Sequence, residues 1–457
     1  MYIANTALYA RGNYSDNNYT YYKNLNEKTV ISLLVGAAIA LPATSQAIAS
    51  NQINSSVEDD IVVAGDVLQI MVPAAGLFAA WMHDDWEGAK QVTYSTIASA
   101  IVVEGLKKST ERQRPNEVGT SSFPSGHTAA AFSGAAFLQS RYGSAWGIPA
   151  YGAATFVAYS RVHGKRHHVD DVMASAGISI LVNQYFVSPY FDENIQVSSM
   201  AVDGGVGVNI QINNAAFDTE RTERGVQPVL PTRYDSRFEL GLGGHTTDGG
   251  ALVAGQGFTE APEFDREFKP FVYMNYQHAL SNNNHAEIYL NSTDSRERGV
   301  IAADQKLGKN EYKQGQEVLT NFQHIKLGGT VYKGYQPVDA LHIDLGLGMY
   351  YHLLSLQMDD DKNGGNYAKE DSWRLMPNLA MKLDYEVTDN LSLVAKGQYQ
   401  KWSTDSYMEA EGGVNYKLNK QWDMGIKYVY ADSSFSNSAF NAVYDSQAFA
   451  LTFANRF

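Results

Sequence analysis

The chain has 457 residues, a formal net charge of −14, no cysteine and 12% aromatic residues, among them 29 tyrosines. This length allows two domains with ample cores. The acidic balance argues against a nucleic-acid partner, and the missing cysteines exclude disulfides and thiol chemistry. The first 24 residues are rich in Tyr and Asn, and translation starting near Leu25 would leave a more ordinary N-terminus. From Asn26 the chain runs through Lys28, an apolar stretch from Val30 to Leu41 and small residues up to Ala49. That order, a charged start, a greasy middle and a small-residue end, predicts a secretory signal peptide cut after Ala47 or Ala49. A short buried helix is the competing reading, and the polar segment from Ser50 to Ser56 favours the signal.

Helical spacing then predicts helices over Ile61 to Met82, Gly88 to Lys108, Thr128 to Arg141, Ala145 to Tyr159 and Val169 to Phe186. None reads as a clean membrane span of about 20 apolar residues. Gln69 and Pro73 interrupt the first, Glu104 the second, Gln139 and Arg141 the third, and Pro149 lies inside the fourth. The expectation is a bundle that folds in the periplasm, with marginal spans as the alternative.

Three segments inside this region carry chemistry. Lys107 and Arg114 are seven residues apart, so a helix continuing to Pro115 would put both cations near one edge. A lysine point charge and a forked guanidinium suit phosphoryl oxygens, and Arg161 adds a second fork. In Pro124-Ser125-Gly126-His127, Ser125 can donate a hydroxyl, and Gly126 lets backbone N–H groups approach an anion. His127 opens the next helix. In the third segment, from Ser160-Arg161 to His167 and Asp171, the histidine and aspartate are four apart and would share a helical face. A carboxylate there holds the imidazole in one tautomer and stabilises its cation. With two histidines, one can attack while the other protonates a leaving oxygen. His163, His168 and Asp170 around His167 also allow a metal site, which the neighbouring Lys165 and Arg166 disfavour. Glu104 fits a helix-face partner of Lys107 or Lys108.

Together these residues resemble the phosphatidic acid phosphatase type 2 and vanadium haloperoxidase superfamily, over roughly Asp60 to Phe186. The resemblance implies that His167 is a nucleophile forming a phosphohistidine, that Asp171 orients it and that His127 is the general acid. It implies phosphoryl binding by Lys107, Arg114, Ser125, Gly126 and Arg161, with no metal or other cofactor in a phosphatase and vanadate in a haloperoxidase. One departure is the short link from Asn116 to Phe123, which leaves little chain for a lid or a deep acyl cleft.

After about Pro189 the period changes to two. Leu341, Ile343, Leu345, Leu347, Met349 and Tyr351 would face one side of a strand, and the same alternation recurs from Leu379 to Tyr385 and from Trp422 to Tyr430. Long strands with aromatics toward their ends fit an antiparallel transmembrane β-barrel better than a sandwich. Phe449, Leu451 and Phe453 alternate up to the terminal Phe457, as in the closing strand of bacterial outer-membrane barrels, the segment that the barrel-assembly machinery reads. The links Tyr335 to Asp339, Val387 to Asn390 and Leu418 to Gln421 are short, whereas Thr246 to Glu267, Gly299 to Gln316 and Met358 to Asp371 are long. Short periplasmic turns and long outer loops are the rule in such barrels. About ten strands fit from Ser236 onward, and a hairpin from Ile195 to Val202 with Val206 to Asn213 would make roughly twelve.

The expected domains are a 1–49 extension and signal peptide, a 50–190 helical phosphatase domain, a 191–235 linker or first hairpin (with Asn214 to Thr232 a linker, plug or outer loop), and a 236–457 barrel. The expected function is hydrolysis of a phosphate monoester or terminal diphosphate in the periplasm, on a lipid such as phosphatidic acid, phosphatidylglycerol phosphate or undecaprenyl diphosphate, or on a soluble phosphomonoester. A vanadium-dependent haloperoxidase and an outer-membrane pore or lipid-handling barrel are the rival readings.

Overall fold

The computed structural model describes residues 57–190, 195–202, 205–212, 236–250, 258–259, 268–281, 283–360, 366–436 and 440–456. The expected signal peptide, the Asn214 to Thr232 segment and Phe457 lie outside the described residues. Five helices come first: α1 (Asp60–Met82), α2 (Trp86–Thr110), α3 (Gly126–Tyr142), α4 (Ser144–His163) and α5 (Val169–Phe186). Side-chain caps fix most of their starts. Asp59 accepts from the Ile61 and Val62 amides at 3.1 Å each, Asp85 from Gly88 at 2.8 Å and Ser125 from Thr128 at 3.4 Å. The small-residue helix α3 lies at the centre, with Ala131, Ala135 and Phe137 fully buried. It crosses α1 so closely that a Cβ on Gly134 would come within 2.5 Å of the Pro73 nitrogen.

Ten strands then close an antiparallel barrel: β3 (Arg237–Gly250), β4 (Pro270–Ser281), β5 (Asn284–Val300), β8 (Glu317–Val338), β9 (Leu341–Asp359), β10 (Tyr367–Thr388), β11 (Leu391–Trp402), β12 (Asp405–Lys417), β13 (Trp422–Ser436) and β14 (Asn441–Arg456). Strand β14 pairs back onto β3, with Leu451 opposite Leu242, so the sheet keeps no free edge. The hairpin of β1 (Ile195–Val202) and β2 (Gly205–Ile212) forms its own sheet, so the barrel has ten strands and not the upper figure of twelve. One expected long loop is shorter than the sequence suggests, and another is partly built into strands. Strands β9 and β10 run on to Asp359 and from Tyr367, and a small hairpin of β6 (Gln305–Leu307) and β7 (Asn310–Tyr312) occupies the Gly299 to Gln316 link. At the opposite end the strands turn tightly, as between Val338 and Leu341.

Alternation sorts the barrel side chains. Inward, Lys427 reaches Glu239 at 2.6 Å, Tyr273 donates to the same carboxylate at 2.6 Å, and the pairs Lys326 with Glu409 and Lys382 with Glu287 fill the lumen. Outward, Leu347, Leu379, Ile426 and Phe449 are exposed, forming an apolar band.

The helices do not stand beyond one end of the barrel, as a separate periplasmic bundle would. They lie along its outer wall. Leu240, Met274 and Leu290 share the outward parity of exposed Phe453, yet each is buried, in one cluster with Met173 and Ile180 of α5. A Cβ on Gly177 would meet the Leu240 side chain at 2.6 Å, so a small residue is needed where this helix meets the sheet. The reading of α1 as too interrupted to span a membrane is also corrected. Asp60–Met82 is long and apolar enough to do so, and most of its surface is exposed. Gln69 is a single neutral polar residue, and Pro73 stays within the helix where it packs against Gly134.

Candidate active site

The first ends of α1, α3 and α5 meet the last ends of α2 and α4 around a cavity of about 500 Å³. Its lining includes Lys107, Arg114, Gly126, His127, Arg161 and His167, drawn from all three sequence segments. Five cations line it (these three plus Lys108 and Arg166), against the carboxylates of Glu104 and Glu111. Such an excess of cations is suited to an anion.

Each residue arrives by its own route. Lys107 sits in the last turn of α2, and its ammonium donates to the Ser121 carbonyl at 2.9 Å. Helix α2 stops at Thr110, with Glu111 in the left-handed region, so the expected continuous helix to Pro115 is not formed. Arg114 therefore reaches the cavity from the following loop, where its amide donates to the Gly119 carbonyl at 3.1 Å. Burial, with Arg166 adding like charge, lowers its pKa from the ordinary guanidinium value. Ser125 does not enter the lining. It is buried, and its oxygen accepts from the Thr128 amide and hydroxyl at 3.4 and 3.1 Å as the cap of α3. Gly126 does enter, at the helix N-terminus, where backbone N–H groups favour an anion.

His167 precedes α5 instead of lying on it, since the helix starts at Val169 with His168 as its cap. Its Nδ1 lies 2.7 Å from the Ser122 carbonyl, which can only accept, so Nδ1 carries the proton. Asp171 is further away, with Oδ2 3.4 Å from the same nitrogen. Nε2 is left with its lone pair. Burial pushes this imidazole below its ordinary range despite the Asp171 carboxylate, and Lys107 and Arg114 act in the same direction as burial. Asp171 itself anchors the loops, accepting from the Ser122 hydroxyl at 2.5 Å, the His168 amide at 2.8 Å and Arg112 at 2.7 Å.

Five contributors are not legible in the three segments. Asp66 on α1 touches both His127 Nε2, at 3.1 Å, and the buried Arg161 guanidinium, at 2.6 Å. A lone acid after Asp60 in the apolar α1 run is a usable signal, because a charge on such a helix calls for a partner. Ser122 offers a backbone carbonyl, which no sequence pattern marks. Arg112 is buried and bridges Asp170 and Asp171 at 2.7 Å each, reaching Asp294 of the barrel at 3.7 Å. Its guanidinium is held above even the ordinary arginine value, because these carboxylates outweigh the effect of burial. Asp294 also pairs with His168, and Arg296 donates to the Arg114 and Pro115 carbonyls at 3.1 and 2.7 Å. The residues weighed as a metal set are likewise taken up in pairs: His163 with Asp59 at 2.7 Å, His168 with Asp294, and Asp170 with Arg112. Glu104 lies 3.9 Å from Lys108.

A helical domain that gathers two histidines and a cluster of cations at one end, docked to a closed ten-stranded barrel, defines a two-part class of protein. The helical part is a PAP2 superfamily domain: the model of that family matches residues 88–194. A second family model, described as a protein of unknown function (DUF481), matches residues 328–441 of the barrel. Lipid A 1-phosphatase of Porphyromonas gingivalis is 37% identical over 92 residues, covering 19% of this chain and 21% of that protein. The chain thus spans about a fifth of the length of this curated relative. Among solved structures, Aquifex aeolicus LpxE matches 29% of this chain and 88% of its own at 21% identity and a TM-score of 0.25. The outer membrane protease OmpT from Escherichia coli matches 50% and 98% at 10% identity and a TM-score of 0.34.

Proposed function

We propose that the chain is a phosphatase that removes a phosphate group from a lipid, through a phosphohistidine on His167. The observation that carries this reading is the free Nε2 of His167 in the same cavity as His127 and a surplus of cations. In the proposed reaction the Nε2 lone pair attacks phosphorus while the bond to the ester oxygen breaks. A cationic His127, its Nε2–H held by Asp66, then delivers the proton of its other ring nitrogen to that oxygen, and the Ser122 carbonyl, with Asp171 beyond it, stabilises the cationic ring of His167. Lys107 and Arg114 neutralise the charge on the phosphoryl oxygens. Water, deprotonated by the now neutral His127, next attacks phosphorus and frees His167 and inorganic phosphate.

Lipid A is the leading substrate in this reading, since the sequence relative named above is a lipid A 1-phosphatase. Phosphatidic acid, phosphatidylglycerol phosphate and a polyprenyl diphosphate share the same terminal group. The barrel, with its outward apolar band, anchors the enzyme in an outer membrane. Inside the barrel, Lys326 on β8 reaches across the lumen to Glu409 on β12, a contact that narrows it.

The test is phosphate release by the full chain in mixed micelles, from lipid A and from phosphatidic acid, with and without vanadate. Release that vanadate inhibits and that His167→Ala abolishes is the expected result. Turnover surviving in His167→Ala would refute the covalent scheme, and halogenation of a dye by vanadate, bromide and peroxide without phosphate release would replace it with the oxidative chemistry.

A further inference from the structure

The helical domain carries an exposed apolar face that nothing in the chain covers among the described residues. On α1 it runs from Val63 through Ile70 to Trp81, and on α2 from Trp86 through Ile97 to Val102. At 1.5 Å per residue these stretches are about 27 and 24 Å tall. The barrel band beside them runs along β10 from Tyr385 at the tight-turn end to Trp373 at the long-loop end. Its height is about 30 Å at a 3.4 Å rise and about 40° tilt. These bands have the same thickness, and contacts at both ends hold them level.

At the tight-turn end, Tyr185 meets Trp422 edge-on at 6.4 Å, close to exposed aromatics on both partners. At the other end, a crevice joins Lys165 and His168 of the catalytic loop to Leu353, Ser355 and Asp371 on the barrel. Leu353 is paired with Trp373, and Ser355 with Asp371 one step further out. The outward face thus changes from apolar to polar at the height of the catalytic loop. Asp294 and Arg296 share this outward parity and bind that loop. The cavity mouth carries Glu104 and Lys108, within two turns of the last exposed apolar residues of α2.

We propose that the helical domain is embedded beside the barrel in one bilayer, its α1 and α2 face against acyl chains, and that its pocket meets lipid phosphates in the leaflet on the long-loop side. In outer-membrane barrels that side is the cell exterior. This deepens the phosphatase reading and rests on it for the identity of the headgroup. The occupant of the face is lipid, because the face continues the lipid-facing band of the barrel at the same height and ends where charge begins. A pocket serving the periplasmic side, as first expected, would have to sit at the tight-turn end, and it sits at the opposite one.

The chain has no cysteine, so single cysteines report sidedness without background. Val118 lies on the pocket loop, Leu418 at a tight turn, Ile97 on the apolar face and Leu347 on the barrel band, and all four are exposed. Cells carrying the full chain are treated with a membrane-impermeant maleimide, and heat-modifiable gel migration checks that each variant has folded. Val118→Cys is expected to label on intact cells at least tenfold faster than Leu418→Cys, which labels fully once the outer membrane is permeabilised. Ile97→Cys and Leu347→Cys stay unlabelled until detergent is added. Protection of Val118→Cys on intact cells overturns the sidedness, and labelling of Ile97→Cys in the membrane at the Val118→Cys rate overturns the embedding. Protection of Ile97→Cys that persists in detergent assigns the face to a protein partner and also overturns it. Labelling requires no turnover. Purified protein that is inactive on both lipid A and phosphatidic acid yet labels as expected refutes the phosphatase reading alone, and active protein with the reversed pattern refutes the placement alone.

Discussion

The candidate active-site pocket and the barrel lumen both crowd charged side chains, and they do so in opposite ways. In the lumen the cations are matched to carboxylates: Lys326 has Glu409, Lys382 has Glu287, and Lys427 shares Glu239 with Arg237. Tyrosines fill the space between them, so the charges satisfy one another and hold the walls together. In the pocket Asp66 pairs with Arg161 and His127, Glu58 with Arg166 and Glu104 with Lys108, which leaves Lys107 and Arg114 facing open space with no salt bridge among the described residues. Charge density alone therefore does not mark a site in this protein. Unmatched charge beside an unprotonated imidazole nitrogen does.

The sharpest way to break this contrast is His167→Ala, which should lower phosphate release by at least about 10⁴-fold while the barrel still migrates as folded. His127→Ala should cost about 10²–10⁴-fold, and should cost least on an ester whose leaving group needs no proton, such as p-nitrophenyl phosphate. A uniform loss on both kinds of ester would remove the general-acid role. In the lumen the expected effects reverse. Lys326→Met strands Glu409 and should destabilise the barrel by about 3–5 kcal/mol in urea titrations followed by gel migration. Phosphate release per folded molecule should be unchanged.

Asp294→Asn joins the two regions. It weakens the hold on Arg112 and His168 without touching the cavity, so kcat should fall by about tenfold with little change in KM. A rise in KM alone would mean that the barrel shapes binding and not the geometry of the nucleophile. The smallest expected effect is on pH. In the proposed reaction the neutral ring of His167 is the nucleophile, and burial holds its pKa below the ordinary value of 6.5. The rate is lost as pH falls through that lowered pKa, so the acidic limb of kcat/KM should lie below pH 6.5 and move upward in the Lys107→Met variant.

Much of the site was legible because its chemistry is written in short segments: Lys107, Arg114, Gly126, His127, Arg161 and His167 all reach one cavity. What was misread depended on where local elements end. Arg114 was assigned to a helix that in fact stops at Thr110, and the Ser125 oxygen, read only as part of a phosphate donor, also accepts from Thr128 as a helix cap. A carbonyl such as that of Ser122 leaves no trace in residue identity. The barrel was legible from its alternation, yet the β1–β2 hairpin could be drawn into it because pairing partners are invisible in a periodic pattern.

By itself the sequence determined the helices, the alternating strands and the set of reactive side chains, because periodicity and residue chemistry are local properties. Only the tertiary structure decided that the helices lie along the barrel wall, that Asp294 and Arg296 turn outward to hold the catalytic loop, and that the pocket sits at the long-loop end. The reason is that strand parity shows which residues share a face, whereas what covers that face is set by contacts between parts of the chain more than a hundred residues apart.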